Sequence, residues 1–431
     1  MIPISFIWVF VITIAIGVPI VFSLSLAPIF GFLAADKAFF LKTLPQKLYI
    51  GINQFPLLAI PLFILAGEIM NTGGITQRLV NLANAMVGHF RAGLAQVNIV
   101  ASMLFAGLSG SAVADTSALG SMLIPAMERE GYSRAYAAAV TSASSVIGPI
   151  IPPSIIMVIY AYIMNVSVGG LFLAGIVPGI ACGLGLMVAT KIIGERRNYP
   201  KREQRASLSE RAGAFKQGIL PLLTPVIIIG GILAGIFTPT EAGAAAVCYA
   251  FFISVFVIRE IKLKDFSPIL LKTGIAASSI LLAVGAAVVF GWISTLSGIP
   301  NKLADFIFSL SDNKYAILLL LNIFFLFVGM FLDAGPAILI LGPIVAPIVY
   351  QLGIEPLHFA IILCINLTVG LATPPMGLIL FVASSISRQP IESIARHMLP
   401  YYVVHILLIL GVTFIPALSL TIPRFFQMGI Q

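Results

Sequence analysis

Gly148-Pro149-Ile150-Ile151-Pro152-Pro153 lies within residues 135–190, a run of 56 residues without a single Asp, Glu, Lys or Arg. The double proline returns 222 residues later as Gly370-Leu371-Ala372-Thr373-Pro374-Pro375. A helical proline has no N–H to give the carbonyl four residues back. Pro152 and Pro153 would therefore free the carbonyls of Gly148 and Pro149, and Pro374 and Pro375 those of Gly370 and Leu371. Each stretch reads as a helix broken at a glycine, where the backbone can open without a side-chain clash. Bare carbonyls inside a membrane cost several kcal/mol unless water, protein or a cation meets them. A hard cation such as Na⁺ takes a ring of oxygens, so two symmetry-related cation sites are expected; a neutral kink packed against a neighbour is the alternative.

The surroundings of these breaks fix the class. The chain has 431 residues, of which 59% are hydrophobic and only 9% charged, whereas soluble domains carry about 25% charged residues. Uncharged runs cover 2–35, 48–67, 92–114, 135–190, 217–240, 273–301, 334–354, 356–387 and 397–423, with shorter ones at 242–258 and 315–332. Most reach the roughly 20 apolar residues of a bilayer span. The fold class is therefore an all-α polytopic membrane protein with no independent soluble domain.

The net charge of +8 does not indicate nucleic acid here, because the basic residues collect in connectors, where they set orientation. Residues 191–216 hold Lys191, Arg196, Arg197, Lys201, Arg202, Arg205, Arg211 and Lys216 against Glu195, Glu203 and Glu210, and are expected in the cytoplasm. Nothing basic precedes the first apolar run, while Lys37, Lys42 and Lys47 follow it. It reads as a retained outside-to-inside span rather than a cleaved leader. Cys182, Cys248 and Cys364 lie singly in apolar runs and read as small buried hydrophobes.

Internal similarity extends beyond the breaks. At the offset of 222, Gly131 meets Gly353, Ala138 meets Ala360 and Pro178 meets Pro400. At 224, Gly67 meets Gly291, and Gly74-Ile75 with Arg78-Leu79 meets Gly298-Ile299 with Lys302-Leu303. Two copies of one unit follow, and Gly/Pro-interrupted helices at matching positions mark secondary transporters. The expected organisation is an N-terminal span and amphipathic connector at 1–50 and a first repeat at 51–190. A basic loop with two linking spans follows at 191–272, then a second repeat at 273–431.

Gly107-Leu108-Ser109-Gly110-Ser111-Ala112-Val113-Ala114-Asp115-Thr116-Ser117-Ala118-Leu119-Gly120 is small and hydroxylic in a greasy chain, and suits a re-entrant hairpin facing a cavity. Its counterpart is Gly329-Met330-Phe331-Leu332-Asp333-Ala334-Gly335-Pro336. An intramembrane carboxylate is functional by default, so Ser111, Asp115, Thr116 and Asp333 are candidates for substrate contact; for Asp115 and Asp333 a helix N-cap is the other reading. The string Gly107-Leu108-Ser109-Gly110 also matches the G-x-S-x of intramembrane serine proteases, which carries no weight without a partnering base. Thr238-Pro239-Thr240-Glu241 reads as a capping box with Pro at the first helical position. Glu68 lies among apolar residues and is expected in a structural pair, with a proton or ion role as the alternative. His89, His358, His397 and His405 show no ligand spacing and are expected in loops or interfaces.

Five blocks then carry a family resemblance. They are Leu58-Ala59-Ile60-Pro61-Leu62-Phe63-Ile64-Leu65-Ala66-Gly67-Glu68-Ile69-Met70 with Gly73-Gly74-Ile75, Ser109 to Asp115, Gly148 to Ser154, Phe237-Thr238-Pro239-Thr240-Glu241-Ala242-Gly243, and Gly370 to Pro375. In this order they resemble, over essentially the whole chain, the large membrane subunit of tripartite ATP-independent periplasmic (TRAP) transporters. The resemblance implies two inverted repeats with re-entrant hairpins and elevator-type movement, and no enzymatic activity. It implies a small four-helix membrane subunit and a periplasmic binding protein as partners, in the bacterial inner membrane with the N-terminus periplasmic. It implies Na⁺-driven uptake of an organic acid and no cofactor beyond that coupling ion. Carried over by motif, the Na⁺ ligands would be Ser109, Gly148, Ile151 and Pro153, then Gly329, Gly370, Thr373 and Met376. Position 106 is Ala106, so a hydroxyl some relatives use there is missing. The hairpin wording Ser111-Ala112-Val113-Ala114-Asp115 is closer to sugar-acid carriers, such as those for sialic acid, than to the Ser-Ser-Pro-Ala-Thr of dicarboxylate members. A stand-alone Na⁺/carboxylate transporter of related elevator fold, without a binding protein, is the alternative.

Overall fold

The computed structural model describes residues 5–201, 205–311 and 313–428; Arg202 and Glu203 of the basic connector lie outside them. The N-terminal part holds α1 (Ser5–Ala15), α2 (Ile20–Ala34), α3 (Leu44–Ile52), α4 (Ala59–Thr72) and α5 (Ile75–Val87). A hairpin follows, α6 (Gly93–Ser109) and α7 (Ala112–Arg129), then α8 (Arg134–Ser145), α9 (Ile155–Met164) and the long α10 (Val168–Arg196). Helices α11 (Leu208–Leu233) and α12 (Pro239–Phe252) are the two linking spans. The second part runs α13 (Phe266–Leu296), α14 (Ile299–Leu310), α15 (Lys314–Phe331), α16 (Ala334–Gln351), α17 (Pro356–Leu371), α18 (Leu378–Ser387), α19 (Ile391–Phe414) and α20 (Ala417–Phe425). Among the described residues there is no strand, and eight helices are long and apolar enough to cross a membrane.

The same order of elements occurs twice. Helices α4 and α5 are joined at Gly74 and α13 and α14 at Gly298, both left-handed at φ +71°. Then come a hairpin, a helix broken before a short second half, and a long helix with an internal proline, Pro178 in α10 and Pro400 in α19. The halves interlock rather than sit side by side. Helix α9, from the first broken helix, packs on α16 of the second hairpin, while α18 packs on α7 of the first.

Local chemistry accounts for the helix ends. Thr238 caps α12 through a complete capping box: its hydroxyl receives the Glu241 N–H at 3.3 Å, and Glu241 takes the Thr238 N–H at 2.8 Å. Ser207 and Glu210 do the same for α11, so Arg211 and Lys216 belong to that helix and the basic connector is shorter than the sequence suggested. The first apolar run is not one span but two helices of 11 and 15 residues, divided where Gly17 takes φ +85° and Pro19 stands as the residue before α2. Cys182 and Cys364 are buried, but Cys248 is exposed, because it lies on the outward face of α12.

Candidate functional site

The first hairpin turns on two residues. Gly110 ends α6 at φ +58°, and Ser111 caps α7 by accepting the Ala114 N–H at 3.4 Å. A Cβ on Gly110 would stand 2.7 Å from the carbonyl oxygen of Pro153, so backbone geometry and the neighbouring break both demand glycine. Since Ser111 is the cap, Asp115 is free for another role one turn further in. Asp115 is fully buried; the Ser109 hydroxyl donates to its Oδ1, and its Oδ2 has no hydrogen-bond partner. A Cβ on Gly148 would collide with that oxygen. An orphaned buried carboxylate oxygen is costly unless a proton or cation meets it.

The first break brings its backbone to the same hairpin tip, Gly148 against Asp115 Oδ2 and the Pro153 carbonyl against Gly110. Among the described residues, no backbone N–H reaches the carbonyls of Gly148, Ile151 or Pro153. Gly148, Pro152 and Pro153 are buried, while the Ile151 side chain packs on Gly179 of α10. These are donors of the kind a hard cation takes: one carboxylate oxygen and unpaired carbonyls.

The second break is built differently. The backbones of α15 and α17 cross where Gly329 meets Gly370: a Cβ on Gly370 would lie 2.6 Å from the Gly329 Cα. The Gly370 carbonyl is not free as the sequence suggested, because the chain turns tightly and the Thr373 N–H reaches it at 2.9 Å. The Thr373 hydroxyl donates to Val369 O at 2.8 Å and its carbonyl accepts from Gly377 N at 3.1 Å. Tyr402 of α19 donates to the Ala372 carbonyl at 2.8 Å. The Met376 side chain is 51% exposed.

Between the hairpin tips lies a cavity of about 270 Å³. Gly110, Ser111, Ala112 and Val113 line it from the first tip, Asp333 to Pro336 from the second, and Pro149 and Leu371 from the two breaks. Asp333 caps α16 by accepting the Ala334 N–H at 2.8 Å, and also faces the cavity. Asp115 and Thr116 do not line it; Thr116 is buried and donates to Ala112 O at 2.8 Å. The starts of α7, α9 and α16 all border the space, and no Lys, Arg or His does among the described residues. An anion entering here would meet helix N-termini and hydroxyls instead of side-chain cations.

Polar zippers that sequence reading missed hold each hairpin to its broken helix. In the first, Asn98 donates to Thr141 at 2.7 Å and Ser102 to Ser144 at 2.8 Å. In the second, Asn366 of α17 donates to Asn322 of α15, and Asn322 donates in turn to Thr413 of the long helix α19, each at 2.9 Å. The signal was available: Asn98 and Asn322 stand 224 residues apart, Ser144 and Asn366 222 apart, the offsets of the repeat. Two histidines expected at loops or interfaces are instead buried in helices, His405 bonding Ala143 O at 3.2 Å and His358 bonding Ser419 at 2.7 Å. Glu68 is half-buried, and no hydrogen bond or ion pair of it is found among the described residues, so the expected structural pair is not formed there.

Paired hairpins and broken helices closing on one cavity inside a bundle of apolar spans define a polytopic membrane permease. The chain belongs to the family described as "Tripartite ATP-independent periplasmic transporter, DctM component", which matches residues 6–418. It is 41% identical to the C4-dicarboxylate TRAP transporter large permease protein DctM of Pseudomonas aeruginosa, over 90% of this chain and 91% of that one. It is 40% identical to the sialic acid TRAP transporter large permease protein SiaM of Vibrio cholerae, over 95% and 96%. The crystal structure of the Alcanivorax borkumensis YdaH transporter shares the fold, with a TM-score of 0.53 over 99% of both chains at 16% identity.

Proposed function

We propose that this chain is the large permease subunit of a Na⁺-coupled TRAP system that takes up an organic acid, a carboxylate or sugar acid such as sialic acid, across the bacterial inner membrane. It works with a small four-helix membrane subunit and a periplasmic binding protein that delivers the substrate. The observation that carries this reading is the cavity shared by the two hairpin tips, where three helix N-termini meet a space free of basic side chains among the described residues. A carboxylate would be received by N–H groups and by Ser111. Asp333 would repel it, so a cation must accompany the anion, and Asp115 with the carbonyls of Gly148, Ile151 and Pro153 offers the first place for one. Ser109 positions Asp115; Gly329, Gly370, Thr373 and Met376 mark the second place.

In this reading the repeats at 51–190 and 273–431 are inverted, and their hairpins and broken helices move together against the remaining spans, elevator fashion. The N-terminus lies in the periplasm and the loop at 191–216 in the cytoplasm. The two relatives named for sialic acid and for C4-dicarboxylates are almost equally similar, so identity alone does not choose between those substrates. The test is uptake in proteoliposomes containing both membrane subunits and the binding protein. Uptake should require an inward Na⁺ gradient and the loaded binding protein; equal uptake without Na⁺ overturns the coupling.

A further inference from the structure

A second cavity, of about 930 Å³, lies far from the hairpin tips, at the end of α10 where the chain enters its basic connector. Arg91, Lys191, Lys201 and Arg205 line it, with Glu195 the acid among its described lining residues. No carboxylate of the described residues pairs with Lys191, Lys201 or Arg205. The walls are fixed. Arg91 donates to Asn198 Oδ1 at 2.6 Å, the Ala92 N–H to Pro200 O at 3.1 Å, and Gln96 to Met187 O at 2.9 Å. Inside, the buried Nδ1 of His89 has no partner. Desolvation, with the charges of Arg205, Arg211 and Lys201, holds that imidazole below its usual pKa.

The cavity continues onto an apolar strip. Ile180, Leu184, Val188 and Ile192, four residues apart on one face of α10, are 43%, 54%, 60% and 47% exposed. Such a strip rises about 18 Å, close to the roughly 15 Å depth of one leaflet's hydrocarbon. A free anion would use the cations but not the strip, and a zwitterionic lipid would use the strip but gain little from the cations. We propose that this groove is a binding site for an anionic phospholipid, its phosphate among Lys191, Lys201, Arg205 and His89 and one acyl chain along Leu184 and Val188. Basic pockets between membrane helices recognise anionic headgroups in this way.

The test is native mass spectrometry of the delipidated, full-length permease with its small subunit, after adding back phosphatidylglycerol, phosphatidylcholine or inorganic phosphate. Phosphatidylglycerol should bind at least about tenfold tighter than phosphatidylcholine. The Lys191→Ala/Lys201→Ala/Arg205→Ala variant should bring it to the phosphatidylcholine level, and Lys191→Arg/Lys201→Arg should retain it. Leu184→Gln/Val188→Gln should weaken phosphatidylglycerol as well. Equal binding of the two lipids by the parent protein, which needs no variant to fold, overturns the proposal. So does full competition by millimolar inorganic phosphate, which would make this an ion site, or crosslinking of the strip to the small subunit in place of lipid.

Discussion

Asp115 must satisfy two carboxylate oxygens inside the protein, and the surrounding chain supplies a hydroxyl, from Ser109, for Oδ1 alone. If Oδ2 faces a coupling cation, Asp115→Asn should raise the Na⁺ concentration for half-maximal uptake by about tenfold, because a charged ligand becomes a neutral one. The same change should leave the Na⁺-free protein as stable or up to ~3 kcal/mol more stable, since an unmatched buried charge is removed. A purely structural Asp115 gives the opposite pair of results in uptake titration and thermal unfolding. Gly110→Ala tests the tip itself. A left-handed non-glycine costs roughly 1–2 kcal/mol, and the added Cβ would stand 2.7 Å from Pro153 O. Melting temperature and uptake should both fall; an unchanged melting temperature would mean that the tip relaxes freely.

Within the elements, what the sequence disclosed was what glycine, proline and charge dictate locally. The hairpin at Gly110, the breaks at Pro152 and Pro374 and the cap at Thr238 all follow from a residue and its immediate neighbours. Long-range partners were not legible in the same way. Nothing near Asp115 says that its free oxygen faces Gly148, and nothing in Gly370-Leu371-Ala372-Thr373 says that Thr373 turns back to claim the Gly370 carbonyl. The Asn98 and Asn322 zippers left a trace only as equal offsets. They carry a prediction: Asn322→Ala removes the bonds to both Asn366 and Thr413, which keep only the carbonyls of Ile362 and Ile409. Interhelical bonds of this kind are worth about 0.6 kcal/mol each, so stability should drop by about 1 kcal/mol in a denaturation series. No loss on top of a Thr413→Val background would remove the zipper from the account.

At the scale of the whole molecule, both halves contribute to the cavity at the hairpin tips, and that makes it testable by access. A Cβ on Gly335 would meet only Ile159 Cδ1, at 3.7 Å, so Gly335→Cys fits without strain. In a Cys248→Ala background, with Cys182 and Cys364 buried, maleimide should label this thiol, and the organic acid with Na⁺ should slow the reaction severalfold. Labelling indifferent to substrate places the substrate path elsewhere. The interlocked halves also set a schedule for biosynthesis. Helix α9 leaves the ribosome about 170 residues before its partner α16 begins, or roughly 10–35 s earlier at 5–20 residues per second. Throughout that interval α9 has α10 and α4 of its own half to pack on but lacks the face it shares with α16, so its completion waits on the synthesis of the second.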